Sequence, residues 1–233
     1  MLSRDFLLQR GYCCGHGCLM CPYVPKHIEG NTMAYDNMIE HNGLAWKDEQ
    51  YGVVIIHTPK CASTTIRSHI MKGGPCNLND FDEREDYKLL TVLRNPITRF
   101  FSGVTTALHS PAYDYYYEDN NYKVGEWREK IMFTLSEVKK GKYFNIHVVP
   151  QVWFHKDKEG NPFGVEDYLK FEDFENEIKR ALSKDLMPVN SNANPIRETG
   201  IETLINDQEV LSEIRAAYAE DFKCYSEKIG EEI

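Results

Sequence analysis

Shortly after an apolar run, Val53-Val54-Ile55-Ile56, the chain reads Thr58-Pro59-Lys60-Cys61-Ala62-Ser63-Thr64-Thr65, one cationic side chain followed by small and hydroxyl-bearing residues. This is chemistry suited to an anion. If a helix begins here, its first turn offers unpaired backbone N–H groups and a partial charge of about half a proton. Lys60 adds a full charge, and Ser63, Thr64 and Thr65 add hydroxyl donors. The loop is not a Walker A sequence, because the G-x-x-x-x-G-K-[ST] pattern is absent. A second cluster lies near the N-terminus, where Cys13, Cys14, Cys18 and Cys21 surround His16. Cys18 and Cys21 have the C-x-x-C spacing that lets two thiolates reach one metal, with Cys13, Cys14 or both completing a tetrahedral set, with or without His16. Zinc and an iron–sulfur cluster are both chemically compatible, as are a redox dithiol or packed free thiols, and the second C-x-x-C of a zinc ribbon is missing.

The elements that must position these groups follow from periodicity. Val53 to Ile56 is short, β-branched and continuously apolar, the pattern of a strand covered on both faces, and Leu89-Leu90-Thr91-Val92-Leu93 repeats it. After each run the period becomes helical. In the second case Ile97, Phe101, Val104 and Leu108 recur at steps of four and three, with Asn95 as N-cap and Pro96 as first helical residue. Trp127, Ile131, Leu135 and Val138 mark another helix, Tyr168 to Phe171 a short strand, and Phe174 to Leu182 a further helix. A final helix is expected to carry Val210, Ile214, Tyr218 and Phe222 on its buried face. Strands alternating with helices predict an α/β three-layer sandwich around a mostly parallel central sheet.

At 233 residues, with 42% hydrophobic and 27% charged residues, the chain suits one catalytic domain plus a short appendage. By composition it is expected to divide into a Cys-rich segment (1–27), a linker or wrapping segment (28–51) and a catalytic domain (52–233). A net charge of −9 argues against a broad nucleic-acid surface, so an anionic ligand must be held locally. Neither a signal-like apolar run in the first twelve residues nor a membrane-length apolar stretch is present, and the expectation is a cytoplasmic protein without membrane contact.

A second motif makes the pattern specific: Leu93-Arg94-Asn95-Pro96-Ile97-Thr98-Arg99-Phe100-Phe101-Ser102. Together, P-K-x-A-S-T and R-N-P-x-x-R-x-x-S resemble the cofactor-binding signature of the sulfotransferases, closest to the carbohydrate branch. The resemblance spans roughly residues 52 to 225 and implies a P-loop-like sulfotransferase fold using 3′-phosphoadenosine 5′-phosphosulfate as sulfuryl donor. It implies that Pro59, Lys60, Cys61, Ala62, Ser63, Thr64 and Thr65 cradle the phosphosulfate, with Lys60 in contact, and that Arg94 and Ser102 grip the 3′-phosphate. Adjacent parallel strands would bring both anion sites to one sheet edge. His147-Val148-Val149-Pro150-Gln151 is similar to an H-x-x-P-Q element of the family, and Tyr168 to Asp173 to a strand with an acidic end; Asn190, Ser191 and Arg197 are candidates to close over the cofactor. The N-terminal stretch resembles a short cysteine-rich motif of small proteins with no established activity.

The activity so implied is in-line transfer of a sulfuryl group to a hydroxyl, with a carbohydrate as expected acceptor. Charge on the leaving oxygen falls to Lys60 and the helix start, and the acceptor proton to His147, with His57 as rival base. Direct transfer needs no covalent intermediate, so Cys61 is read as a small loop residue rather than a nucleophile. Tyr113, Tyr115, Tyr116, Tyr117 and Tyr122 could form an aromatic lid over a sugar, or an ordinary surface loop. The competing readings are a non-catalytic nucleotide- or metal-binding regulatory module and a P-loop kinase.

Overall fold

Alternate residues of the first apolar run enter different cores. Val53 and Ile55 pack with Ile66, Ile70, Leu90, Val92, Leu169, Ile178 and Leu182, whereas Val54 and Ile56 pack with Leu78, Leu89, Val149, Phe154 and Phe163. A strand with this pattern is covered on both faces, the reason its sequence carries no polar alternation. The computed structural model describes residues 7, 10–17, 23, 27, 29–30, 42–81, 86–108, 127–143, 145–183 and 201–233.

The sheet has five strands: β1 (Leu44–Asp48), β2 (Val53–Ile56), β3 (Pro75–Asn77), β4 (Lys88–Leu93) and β5 (Asp167–Lys170), in the order β3-β1-β2-β4-β5. The pairs β2·β4 and β4·β5 are parallel, with Ile55 opposite Leu90 and Leu93 opposite Lys170. The pairs β1·β2 and β1·β3 are antiparallel. The fold is therefore mixed α/β, and the expectation of a mostly parallel sheet is corrected. The missed half is β1 and β3. β1 lies within the stretch read as linker, its Leu-Ala-Trp-Lys-Asp sequence being too short and mixed to announce a strand. β3 is three residues long and begins with Pro75, tolerated because an edge strand need not donate on both sides.

Short α1 (Ser63–Thr65) continues as a π-helical turn over Ile66–Ile70, with Met71 N–H donating to Ile66 O at 2.9 Å. It is followed in chain order by α2 (Pro96–Leu108), α3 (Trp127–Lys139), α4 (Phe174–Leu182), α5 (Ile201–Leu204), α6 (Gln208–Ala217) and α7 (Ala219–Ile229). The helix expected after β2 is thus brief, ending before Gly73, Gly74 and Pro75. Ile66, Ile70, Ile178 and Leu182 cover one face of the sheet. The other is covered by the segment that carries the 3-10 turns Ile146–Val148 and Gln151–His155, through Val149 between them and Phe154. Beside these layers α2, α3, α5 and α6 form a helical core with Phe100, Phe101, Ile131, Leu135, Ile201 and Ile214 at its centre.

The single final helix read from Val210, Ile214, Tyr218 and Phe222 is two helices. Tyr218 separates them at φ −115° and ψ 29°. Its buried hydroxyl donates to Val148 O at 2.6 Å, which fixes the bend against the 3-10 turn. Among the described residues no helix is long and apolar enough to cross a membrane.

Candidate functional site

Parallel pairing of β2 with β4 brings residues 57–62 and 94–95 to the same edge of the sheet. The first loop turns sharply: Cys61 N–H donates to Thr58 O at 3.2 Å, and Lys60 and Ala62 adopt left-handed φ values of 68° and 58°. Such a conformation costs a non-glycine residue about 1–2 kcal/mol, so two of them within one loop require bonds that hold them there. Two arginines supply those bonds. Arg94 Nη1 donates to Lys60 O at 3.0 Å, and buried Arg99 Nε donates to Pro59 O at 3.2 Å. Because C=O and the next N–H point oppositely across a planar peptide, tying the Pro59 carbonyl to Arg99 turns the Lys60 N–H away from it.

The two helix starts at this edge differ. Asn95 Oδ1 accepts from Ile97 N–H at 2.9 Å and Thr98 N–H at 3.3 Å, so α2 is capped by its own sequence, as expected. At α1 the cap position is Ala62, which forms no side-chain cap bond. The start of α1 is thus where an external acceptor has most to offer.

Lys60 is half-buried, and its Nζ donates to Thr106 Oγ1 at 2.9 Å; Thr106 in turn donates to Ser102 O at 3.2 Å. Burial and the neighbouring charges of Arg94 and Arg99 lower its pKa. Arg94 Nε donates to Thr98 Oγ1 at 3.2 Å, and its guanidinium stacks 4.3 Å from the centroid of Phe171. Thr98, Ser102 and Thr106, four residues apart, line one face of α2, with Arg94 bonded at one end and Lys60 at the other. The structure therefore brings Lys60 and Arg94 together, at the face of α2 that carries Ser102. Within the proposed cradle Ser63 is half-buried and Thr64 exposed, while Pro59, Cys61 and Thr65 are buried.

His147 lies in the 3-10 turn Ile146–Val148, which packs against α2. A Cβ at Gly103 would lie 2.1 Å from His147 O, so only glycine permits α2 to approach this turn. Asn145 Oδ1 accepts from His147 N–H at 3.0 Å and stands 2.7 Å from Nδ1, which makes Nδ1 the protonated nitrogen and leaves the basic lone pair on Nε2. The Nδ1 of His57 is buried, and its backbone N–H donates to Leu44 O at 2.9 Å.

Three contributors were not assigned roles from sequence. Gln151 is fully buried; its Oε1 accepts from Arg94 N–H at 3.2 Å and faces Cys61 Sγ at 3.6 Å, while Nε2 donates to Arg94 O at 2.9 Å. Asp221, on α7, accepts from Gln151 N–H at 2.9 Å and Val152 N–H at 3.0 Å, and stands 4.0 Å from Arg99 Nη1. Burial pushes its pKa up to about 6, against the pull of Arg99 and both backbone donors. Arg99 completes the set, with its Nη2 buried and unbonded among the described residues. Arg99 and Gln151 stand inside recognisable motifs, so their types were visible although their partners were not. Asp221 carried no signal beyond one acidic residue in an amphipathic helix. Cys61 is buried, which pushes its thiol up to about 11; it is a hydrogen-bond donor at neutral pH rather than a nucleophile.

At the N-terminus Cys13 is buried and Cys14 half-buried, and a hydrogen bond with Cys14 raises the pKa of His16. Cys18 and Cys21 lie outside the described residues, as do Asn190, Ser191, Arg197 and the tyrosines from 113 to 122. Among the described residues no three metal-ligating side chains converge.

Behind the loop, Thr58 Oγ1 meets Thr91 Oγ1 at 3.4 Å, and Thr91 Oγ1 meets His155 Nε2 at 3.2 Å. Burial lowers the His155 pKa to about 3 from 6.5. A histidine depressed in this way contributes stability that is complete above pH 6.5 and is lost as pH falls toward 3, because only the unfolded chain takes up the proton. Asp221 titrates near this window with the opposite sign: its raised pKa contributes stability below pH 3.8 that is lost as pH rises through 6. The difference between wild type and His155→Leu isolates the histidine. From pH 7 to pH 5, urea unfolding of wild type should lose about 2 kcal/mol more than that of the variant. Parallel curves for the two proteins would mean that His155 is protonated within the fold.

No protein-family model, curated protein or solved structure matches this chain.

Proposed function

We propose that the protein transfers the sulfuryl group of 3′-phosphoadenosine 5′-phosphosulfate to a hydroxyl acceptor, in keeping with the resemblance of its two loops to the sulfotransferases. The observation that carries the reading is the convergence of Lys60, Arg94 and an uncapped helix start at the ends of two adjacent parallel strands. A nucleotide with anionic groups on both sides of its ribose needs two such sites side by side. Three cations, Lys60, Arg94 and Arg99, crowd this edge, and the lowered Lys60 pKa reflects burial first and then the charges of Arg94 and Arg99. A bound anion relieves that crowding.

Lys60 and the first N–H groups of α1 hold the phosphosulfate, and Arg94 with Ser102 the 3′-phosphate. The donor supplies an activated sulfuryl group on a phosphate leaving group. Lys60 offsets charge on that leaving oxygen, moving from the Thr106 hydroxyl onto the ligand. His147, its tautomer set by Asn145, receives the acceptor proton on Nε2. The acceptor is proposed to be a carbohydrate hydroxyl.

Calorimetric titration tests the reading. Wild type should bind 3′-phosphoadenosine 5′-phosphate at least about tenfold more tightly than ADP, the difference expected of a bidentate guanidinium–phosphate contact, and Arg94→Ala should abolish the preference. Equal binding of the two nucleotides, or a requirement for ATP and magnesium, would turn the assignment toward a kinase.

A further inference from the structure

The Pro59–Thr65 loop and the residues just beyond β4 meet at one buried side chain, Gln151. A carboxamide has one oxygen with two lone pairs and one NH2 with two hydrogens. In Gln151 the oxygen takes the Arg94 N–H and faces the Cys61 thiol, while the NH2 donates to the Arg94 carbonyl. Turning the amide over would set donor against donor and acceptor against acceptor, so its orientation is determined. Pairing with both backbone groups of one residue is what a neighbouring strand does, and Gln151 does it for Arg94, the residue just beyond β4. The thiol contact brings the β2 loop to the same carboxamide. Gln151 is itself held from behind, its backbone N–H bonded to Asp221.

We infer that Gln151 is a positioning residue that sets the distance and orientation between the two anion-binding loops, acting on the ligand through Arg94 and the Cys61 turn rather than by contact. This rests on the proposed role of those loops in nucleotide binding. The raised Cys61 pKa is consistent with it, since a thiol that stays protonated remains a donor to the carboxamide.

A double-mutant cycle separates positioning from general support of the fold. Gln151→Met keeps the volume and removes the hydrogen bonds. It should weaken binding of 3′-phosphoadenosine 5′-phosphate about tenfold in the wild-type background and by no more than about threefold in an Arg94→Ala background, where only the route through the Cys61 turn remains. Equal losses in both backgrounds, or no loss in either, would overturn the inference. Hydrogen exchange on nucleotide-free protein gives a second readout. Gln151→Met should speed exchange of the Arg94 amide by about tenfold or more while leaving Ile55, in the core of β2, unchanged. Should the wild type bind no nucleotide, the functional reading fails and exchange alone decides: an unchanged Arg94 amide removes the positioning role, and a selectively faster one sustains it. Gln151→Asn, which keeps the carboxamide but withdraws it by one methylene, should show the same exchange pattern and serves if the methionine variant does not fold.

Discussion

Replacing Lys60 with alanine should lower turnover of the phosphosulfate donor by a factor of about 10²–10³, the loss found when one preorganised donor is removed from developing negative charge. Alanine is the informative substitution because its left-handed cost at φ 68° is close to that of lysine, so the effect reports the ammonium group and not the backbone. The Lys60 carbonyl, which accepts from Arg94, is retained. Turnover can be followed as release of 3′-phosphoadenosine 5′-phosphate, by acceptor-independent hydrolysis until an acceptor is in hand. In the same assay His147→Ala should lower the acceptor-dependent rate by about 10²-fold or more with nucleotide affinity nearly intact, because a general base acts only on the acceptor. A Lys60→Ala protein that turns over at the wild-type rate would remove the central cation from the mechanism. A fully active His147→Ala protein would move the base assignment to His57.

Asp221→Leu should destabilise the fold by about 4 kcal/mol or more. Breaking a buried ion pair from one side costs about 3–5 kcal/mol, and each buried N–H left without an acceptor adds about 1–3 kcal/mol, with partial relaxation offsetting some of the sum. Asp221 is fully buried, and its removal deprives Arg99 of its buried counter-charge and Gln151 and Val152 of their N–H acceptor together. For a domain of this size that corresponds to a fall in Tm of roughly 8–16 °C. Asp221→Asn, which retains one carbonyl acceptor, should fall between the two. A melting curve for Asp221→Leu within about 2 °C of wild type would show that the pair does not hold the loops in place.

The parts of the fold that could be read from sequence are those in which local preference and burial agree. Val53 to Ile56 and Leu89 to Leu93 are strands because each is β-branched or apolar throughout and covered on both faces. Asn95 caps α2 because its side chain fits the first-turn donors whatever else is nearby. β1 was hidden because Leu44–Asp48 owes its strand to pairing with β2 and β3 and not to its own pattern. Tyr218 continued an apolar periodicity, yet a hydroxyl bond to Val148 O across the chain interrupts the helix there. At the candidate site the residue types were legible: Lys60 and Arg94 meet at one sheet edge, on the face of α2 that carries Ser102. The apparatus behind them was not. Asp221 acquires meaning only from Arg99 and Gln151, and nothing in a helical sequence marks one carboxylate as the one turned inward.

That remote carboxylate also fixes when the loops can mature during synthesis. Arg94 reaches Gln151 across 57 residues, and Gln151 reaches Asp221 across a further 70. A nascent chain that has emerged through α4 already displays both loops and the carboxamide between them, but its Arg99 still lacks a buried counter-ion. At about 5–20 residues per second the ribosome needs several seconds more to deliver position 221. On the proposed function, the buried contacts behind the two loops are complete only once α7 has docked, and not in the order in which the loops are translated.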